Sequence, residues 1–291
     1  MTAIRTADRT GSELISVVPA ELAAEFHGVR RLGVAFSGGV DSSVLLAAAV
    51  RILGAGNVTA ILGVSPSLPA DERSAAHEVA RFVGASVVEV QTHEGDRAEY
   101  RANGPDRCFH CKDELFTRVA DEVVDAHQLD AVAYGENADD AARPDRPGVR
   151  AATNHRVLRP LAAAGLDKAA VRRLAHAWGL PSADKPAAPC LASRIPHGEE
   201  VTPEKLAQVE AAESALRRLG LADLRVRHHG DIARIELPAE DLARAAAEPL
   251  RSQVRRAVLA AGFRYAALDL GGIQSGGFTL TLLGHHAGTR G

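Results

Sequence analysis

The chain has 291 residues, 46% hydrophobic and 24% charged, with a formal net charge of -3 from 34 basic and 37 acidic side chains. That length buries a substantial core in one large domain or two smaller ones, and so balanced a charge gives a general nucleic-acid binder no footing, so a small-molecule partner is predicted. The opening stretch MTAIRTADRTGSELISVV scatters charges where a signal peptide needs an apolar core, and the longest apolar run, VLLAAAV, falls far short of the roughly 20 residues of a membrane span; a cytoplasmic protein with no membrane partner is the expectation.

A first helix is predicted around 16–26, and RLGVAFSGGVDSSVLLAAAVRILG then reads as a strand over 32–36, a tight glycine loop and a helix over 41–53. The unit repeats. NVTAILGVSPS and ASVVEVQT are β-branched strand runs, and ADERSAAHEVARFVG between them has helical spacing with a glycine stop. KDELFTRVADEVVDAHQL is a further helix and DAVAYGEN a further strand. Strands alternating with helices predict an α/β fold whose parallel sheet is covered on both faces and takes ligands at the carboxyl ends of its strands. ARPDRPGVRAA interrupts the pattern, and LDKAAVRRLAHAWGLPSADKP adds a short helix. After IPHGEE the texture changes: a helix over 203–219, strands LRVRHH and IARIELP, one long alanine-rich helix over 240–261 and a last strand, YAALDLG, predict a smaller α+β domain. The boundary is drawn near residue 198, giving domains 1–198 and 199–291.

Ser37, Gly38, Gly39, Asp41, Ser42 and Ser43 lie where the first strand meets its helix. Glycines let the backbone turn tightly against a phosphate, and the N–H groups and hydroxyls of a helix start donate to its oxygens. A bare carboxylate at Asp41 would repel that phosphate unless Mg2+ lay between them. The loop ends without Gly-Lys-Ser/Thr, so it is not a Walker A sequence; SGGxDS resembles the PP-loop of ATP pyrophosphatases, which split ATP into an adenylate and pyrophosphate. A nucleophile must then follow.

Three cysteines are available: Cys108 and Cys111 in RCFHCKDELF, and Cys190 in KPAAPCLASRIPHG. An odd count with one close pair argues against a structural disulfide framework. The two near cysteines can grip one metal or cluster from a short loop, and Cys190 can complete a three-thiolate 4Fe-4S site with one open iron. A zinc site with His110 or His197 as fourth ligand, a redox pair and plain buried thiols are the competing readings.

GENADD, RPG, DKPAAPCLASRIPHG and RVRHHGDIARIE, in this order behind SGGVDSS, resemble the LarE family of ATP-dependent sulfur transferases in nickel-pincer nucleotide biosynthesis, over about residues 20–270. The resemblance implies an adenine nucleotide alpha hydrolase-like PP-loop domain, ATP as co-substrate, a homo-oligomer and a small nucleotide substrate, a pyridinium bis-carboxylic acid mononucleotide, whose carboxylate is adenylated and then exchanges oxygen for sulfur. Members of the family share the cysteine at Cys190. One kind spends that sulfur once and is left with dehydroalanine. The other carries two more cysteines and a 4Fe-4S cluster fed by inorganic sulfide or a sulfide donor, and Cys108 and Cys111 place this chain with the second.

Arg194 follows Cys190 by four residues, where a helical turn would bring it alongside the thiol. Arg225 and Arg227 alternate on one face of a strand and suit a phosphate, and the resemblance adds Glu213 near them. Asn137, Asp139 and Asp140 suit nucleotide or metal, Arg146 a phosphate, and Asp184 and Lys185 the charge of the adenylate. His228 and His229 face opposite sides of a strand, which favours packing. The chain departs from the family at Asp145, where tyrosine is usual, and in LDLGGIQSGGFTLTLL, which lacks a Tyr-Arg pair. A transfer-RNA thiolase would need a basic surface or an RNA-binding module, neither legible here, and an ATP-binding sensor leaves the cysteines unexplained.

Overall fold

A computed structural model describes residues 17–143 and 147–273. The chain divides into two compact units that interleave along the sequence. The first comprises the stretch up to Ser65 together with Ala70–Thr92 and Cys111–Ala188; the second comprises Pro66–Pro69, His93–His110 and everything from Pro189 on. The second unit thus begins ahead of the single boundary drawn near residue 198, and it takes in PCLASRIPHG and two short stretches that lie between elements of the first.

The first unit is built on four parallel strands, β1 (Leu32–Ala35), β2 (Val58–Val64), β3 (Ser86–Gln91) and β4 (Ala131–Tyr134), in the order β3-β2-β1-β4. Helices α1 (Val40–Leu53) and α2 (Ala70–Val83) are its first two crossovers. In α1 the buried set runs through Val40, Ser42 and Ser43 to Ala49, so the helix is apolar on nearly every side and packs on β1, β2 and α2 at once. Helix α3 (Arg107–Val119) continues through one π-helical turn, Ala120–Val124, and sets Val119 and Val123 against Ile61, Val90 and Leu129. It starts before Lys112, where the sequence predicted it, so Cys108 and Cys111 lie on a helix and not in a loop. Helices α4 (Pro147–Asn154) and α5 (Lys168–Ala177) complete the unit, and α5 packs on α1.

In the second unit β5 (Arg225–His229) pairs antiparallel with β6 (Ile232–Glu236), which pairs parallel with β7 (Tyr265–Leu268). Helix α6 (Pro203–Arg218) opens with the Thr202 hydroxyl accepting from Lys205 N, at 3.4 Å, and proline at the first helical position, where no N–H is missed. Its Leu206, Val209 and Leu216 are at most 3% exposed, each contributing about 1.5–3 kcal/mol of apolar burial. The single helix predicted over 240–261 is two, α7 (Ala239–Ala246) and α8 (Leu250–Ala260), because Pro249 has no N–H to donate and its ring crowds the preceding turn.

Candidate active site

From β1 the chain passes to β2 on one side, while β4 pairs on the other, so the sheet order reverses at β1. A crevice opens outside the carboxyl ends of strands at such a point. Ala35 of β1 lies opposite Tyr134 of β4, so the glycine loop and the start of GENADD leave the sheet side by side. The approach is close. A Cβ on Gly135 would sit 2.6 Å from Ser42 N, and Gly38, at φ +70, would put one 2.9 Å from Ala76 Cα. Within the loop the Ser42 and Ser43 hydroxyls donate to Gly39 O at 3.0 and 2.8 Å, and the Ser37 hydroxyl lies 3.2 Å from that of Ser42. The loop is therefore folded on its own bonds.

Asp41, on the first turn of α1, gathers the rest. Its Oδ1 accepts from Asn137 Nδ2 at 3.1 Å and its Oδ2 from Lys168 Nζ at 2.5 Å. The same Asn137 amide also donates to Asp140 Oδ2 at 3.2 Å, while Asn137 Oδ1 caps the short helix Ala138–Ala141. Asp139 accepts from Lys168 N at 2.9 Å, which fixes the lysine at the start of α5. The cavity at this edge is lined by Ser37, Gly39, Asp41, Ser42, Asp140 and two residues not singled out in the sequence, Lys112 and Glu136. Lys112 Nζ stands 4.3 Å over the Tyr134 ring, and Glu136 is buried with Arg159 at 3.5 Å. Lys168 is likewise new. In LDKAAVRR it looks like any lysine opening a surface helix.

Cys190 belongs to the second unit, immediately ahead of a 3-10 turn, Leu191–Arg194. The tight turn sends the Arg194 side chain inward: its Nη1 donates to Pro189 O, Cys190 O and the Ser193 hydroxyl at 2.5, 3.1 and 3.0 Å. Its other nitrogens form a fork on Glu213 at 2.8 and 3.1 Å. Glu213 also accepts from Val226 N and Arg217, and Arg227 forks onto Glu236 at 3.0 and 2.8 Å while donating to Ser193 O at 2.9 Å. Arg194, Glu213, Arg227 and Glu236 are all at most 5% exposed. Burial pushes the Glu213 carboxyl up, but Arg194, the Val226 amide and Arg217 together hold it below the usual carboxylate range. Arg225 donates to Leu224 O, and burial, aided by the like charge of Arg194, lowers its pKa. Arg194 and Arg227 thus bind the loop backbone through planar donors already matched to carboxylates.

Cys108 is exposed and Cys111 half-buried; at i and i+3 of α3 they share a face, and neither is in a disulfide. His110 pairs with Asp106 at 3.2 Å, and the His197 Nδ1 lies 3.1 Å from Asn103 O, so both candidate zinc ligands have other partners. Among the described residues no three His, Cys, Asp or Glu side chains converge as ligands of a single ion. Lys185 is paired with Glu72 at 2.7 Å, and the highly exposed Asp184 with His176. His228 is buried against Phe263 with its Nε2 on Gln208, which fits the packing role read from the strand, and His229 accepts from Arg234. Arg146, Asp145 and the variant C-terminal stretch beyond residue 273 lie outside the described residues.

Comparison with known proteins places this geometry. The asparagine synthase family model matches residues 22–237. An uncharacterized protein of Synechocystis sp. is 41% identical over 86% of this chain and 92% of its own length. The pyridinium-3,5-bisthiocarboxylic acid mononucleotide synthase of Lactiplantibacillus plantarum is 35% identical over 90% of this chain and 94% of its own. An uncharacterized protein of Methanocaldococcus jannaschii is 30% identical over 46% of this chain and 52% of its own. With a PP-loop at the reversal of a parallel sheet and a relative so alike across nearly its full length, the chain belongs to the LarE family and is an ATP-dependent sulfur transferase.

Proposed function

We propose that this enzyme adenylates a carboxylate of pyridinium bis-carboxylic acid mononucleotide and converts it to a thiocarboxylate, a step in making the nickel-pincer nucleotide. The carrying observation is Asp41: a carboxylate on the first turn of a phosphate-cradling loop, beside Lys168 and bridged by Asn137 to Asp140. Its partners set the roles. The backbone N–H groups at the start of α1 and the Ser37 hydroxyl cradle the ATP phosphates. Asp41 and Asp140, two hard oxygen donors held by one amide, suit Mg2+. Lys168 adds a positive charge suited to the leaving pyrophosphate. A substrate carboxylate oxygen attacks the α-phosphorus, the bond to pyrophosphate breaks, and an acyl adenylate results. A sulfur nucleophile then attacks the acyl carbon, and AMP leaves with the electrons of the broken C–O bond.

The cysteines fit a cluster better than a single ion. Cys108 and Cys111, at i and i+3 of α3, share a helix face and suit two thiolate ligands of one cluster. Cys108, Cys111 and Cys190 would hold a 4Fe-4S cluster, which would supply the transferable sulfide that a repeatedly acting transferase needs. Arg194, with Glu213 behind it, and Arg227 hold the Cys190 loop, and Arg225, on the same strand as Arg227 and paired with Asp223 at 3.3 Å, suits a substrate phosphate. We also read the enzyme as cytoplasmic and self-associating, as in the family; no helix of the described residues is long and apolar enough to cross a membrane.

Anaerobic purification with iron and sulfide analysis tests this reading. A brown protein with about four iron and four sulfide per chain is expected. Colourless, iron-free protein after reconstitution, with loss of the Cys190 sulfur in the intact mass after turnover, would assign the transfer to a sacrificed cysteine. No pyrophosphate with ATP and the mononucleotide would sink the adenylation itself.

A further inference from the structure

The second unit recruits two stretches, Pro66–Pro69 and His93–His110, from between elements of the first, and both end on the Cys190 loop. Leu191 N donates to Ser67 O at 2.9 Å, and the Ser67 hydroxyl lies 2.5 Å from that of Tyr100. Asn103 is fully buried at φ +56, and its Nδ2 donates to Ile195 O and Pro196 O at 3.2 and 2.8 Å. Its carbonyl accepts from Gly198 N at 3.2 Å. One helical turn on, Arg107 is 7% exposed, and a single nitrogen, Nη1, donates both to Asn103 Oδ1 at 2.5 Å and to Ala192 O at 2.9 Å. Burying a guanidinium is costly unless its donors are matched. Both of these Arg107 bonds stay within the second unit, and neither involves the sheet or the nucleotide cavity.

We propose that Arg107, seated by Asn103, is a positioning residue for sulfur transfer: it locks the Cys190 loop through Ala192 O. This rests on the reading that Cys190 carries or anchors the transferred sulfur. Both bonds come from one nitrogen, so a lysine ammonium can restore them and a methionine cannot. Asn103 does the same work from the other side. Its side chain satisfies two loop carbonyls, and glycine keeps the positive φ while deleting those bonds.

Hydrogen exchange on the metal-free protein tests the clamp without any turnover. In Arg107→Met and in Asn103→Gly, backbone amides of residues 191–198 should exchange at least tenfold faster, while those of β1 and β2 stay within twofold. Arg107→Lys should return the loop to within threefold of the unaltered protein. The double variant should be no faster than the worse single one, since both act on one element. In the loaded enzyme Arg107→Met should lower thiocarboxylate formation at least tenfold, with pyrophosphate release and the KM for the mononucleotide within twofold. Loop exchange unchanged in both single variants would overturn the proposal, as would equal losses in pyrophosphate release and sulfur transfer, or an Arg107→Lys protein no better than Arg107→Met. Absence of sulfur transfer in the unaltered protein would defeat the functional reading and leave the exchange result standing.

Discussion

Charge is handled in opposite ways in the two units. At the Asp41–Lys168 pair of the first unit's cavity, Asp41 is 19% exposed and Lys168 40%, each answers to one or two partners, and Asn137 divides its amide between two carboxylates. Around the Cys190 loop of the second, Arg194, Glu213, Arg227 and Glu236 are buried, and the carboxylate forks leave those guanidiniums no open geometry for a ligand. Half-exposed ions exchange partners at little cost, because water repays most of the lost interaction, whereas a buried ion deprived of its partner has nothing to turn to. The first arrangement suits groups that meet a phosphate and let it go. The second suits a loop that must not move.

Substitutions can break this contrast. Glu213→Gln should carry the largest effect, a loss of about 3–5 kcal/mol in urea unfolding, since Arg194 then keeps a buried charge facing an amide. A loss below about 1 kcal/mol would mean that the fork is not structural. Asp41→Asn should lower pyrophosphate release about 10²–10³-fold with any cluster content intact; undiminished release would remove its Mg2+ role. Lys168→Met should slow the same step about tenfold and shift stability by less than about 1 kcal/mol, the behaviour of a half-exposed ion. A large unfolding effect there would erase the distinction between the two units.

The smallest effect concerns pH. Burial, then Lys205, depresses the pKa of His228 from 6.5 in the folded chain. The unfolded chain then binds more protons than the folded one, so the contribution is complete above pH 6.5 and is lost as pH falls through the lower folded value. Thermal melts from pH 7.5 to 5.5 should show this decline, and His228→Asn should flatten it.

How much of this the sequence carried depends on how local each feature is. Strand, glycine turn and helix around SGGVDSS are short-range, and they stand where the pattern put them. Lys168 was not legible because its meaning comes from Asp41, distant in sequence, and no local signal sets apart a lysine at a helix start. Arg194 was expected beside the thiol on an α-helical turn. A 3-10 turn instead carries it to Glu213, a choice made by tertiary partners. Starting α3 at Lys112 missed five residues of helix, although Asp106, a helix-capping residue type, and Arg107, a strong helix former, stand at its start; the cysteine pair was read as a metal-gripping loop instead. Pro249 was the opposite case: the break it imposes was written in the sequence and overrun by the alanine-rich pattern around it.

Nearly every bond that secures the Cys190 loop ends on a backbone oxygen: Pro189, Cys190, Ala192, Ser193, Ile195 and Pro196 all accept from buried side chains. None of these grips the sulfur. Chemical change at the Cys190 sulfur, by oxidation or alkylation, therefore leaves these bonds to the loop backbone in place.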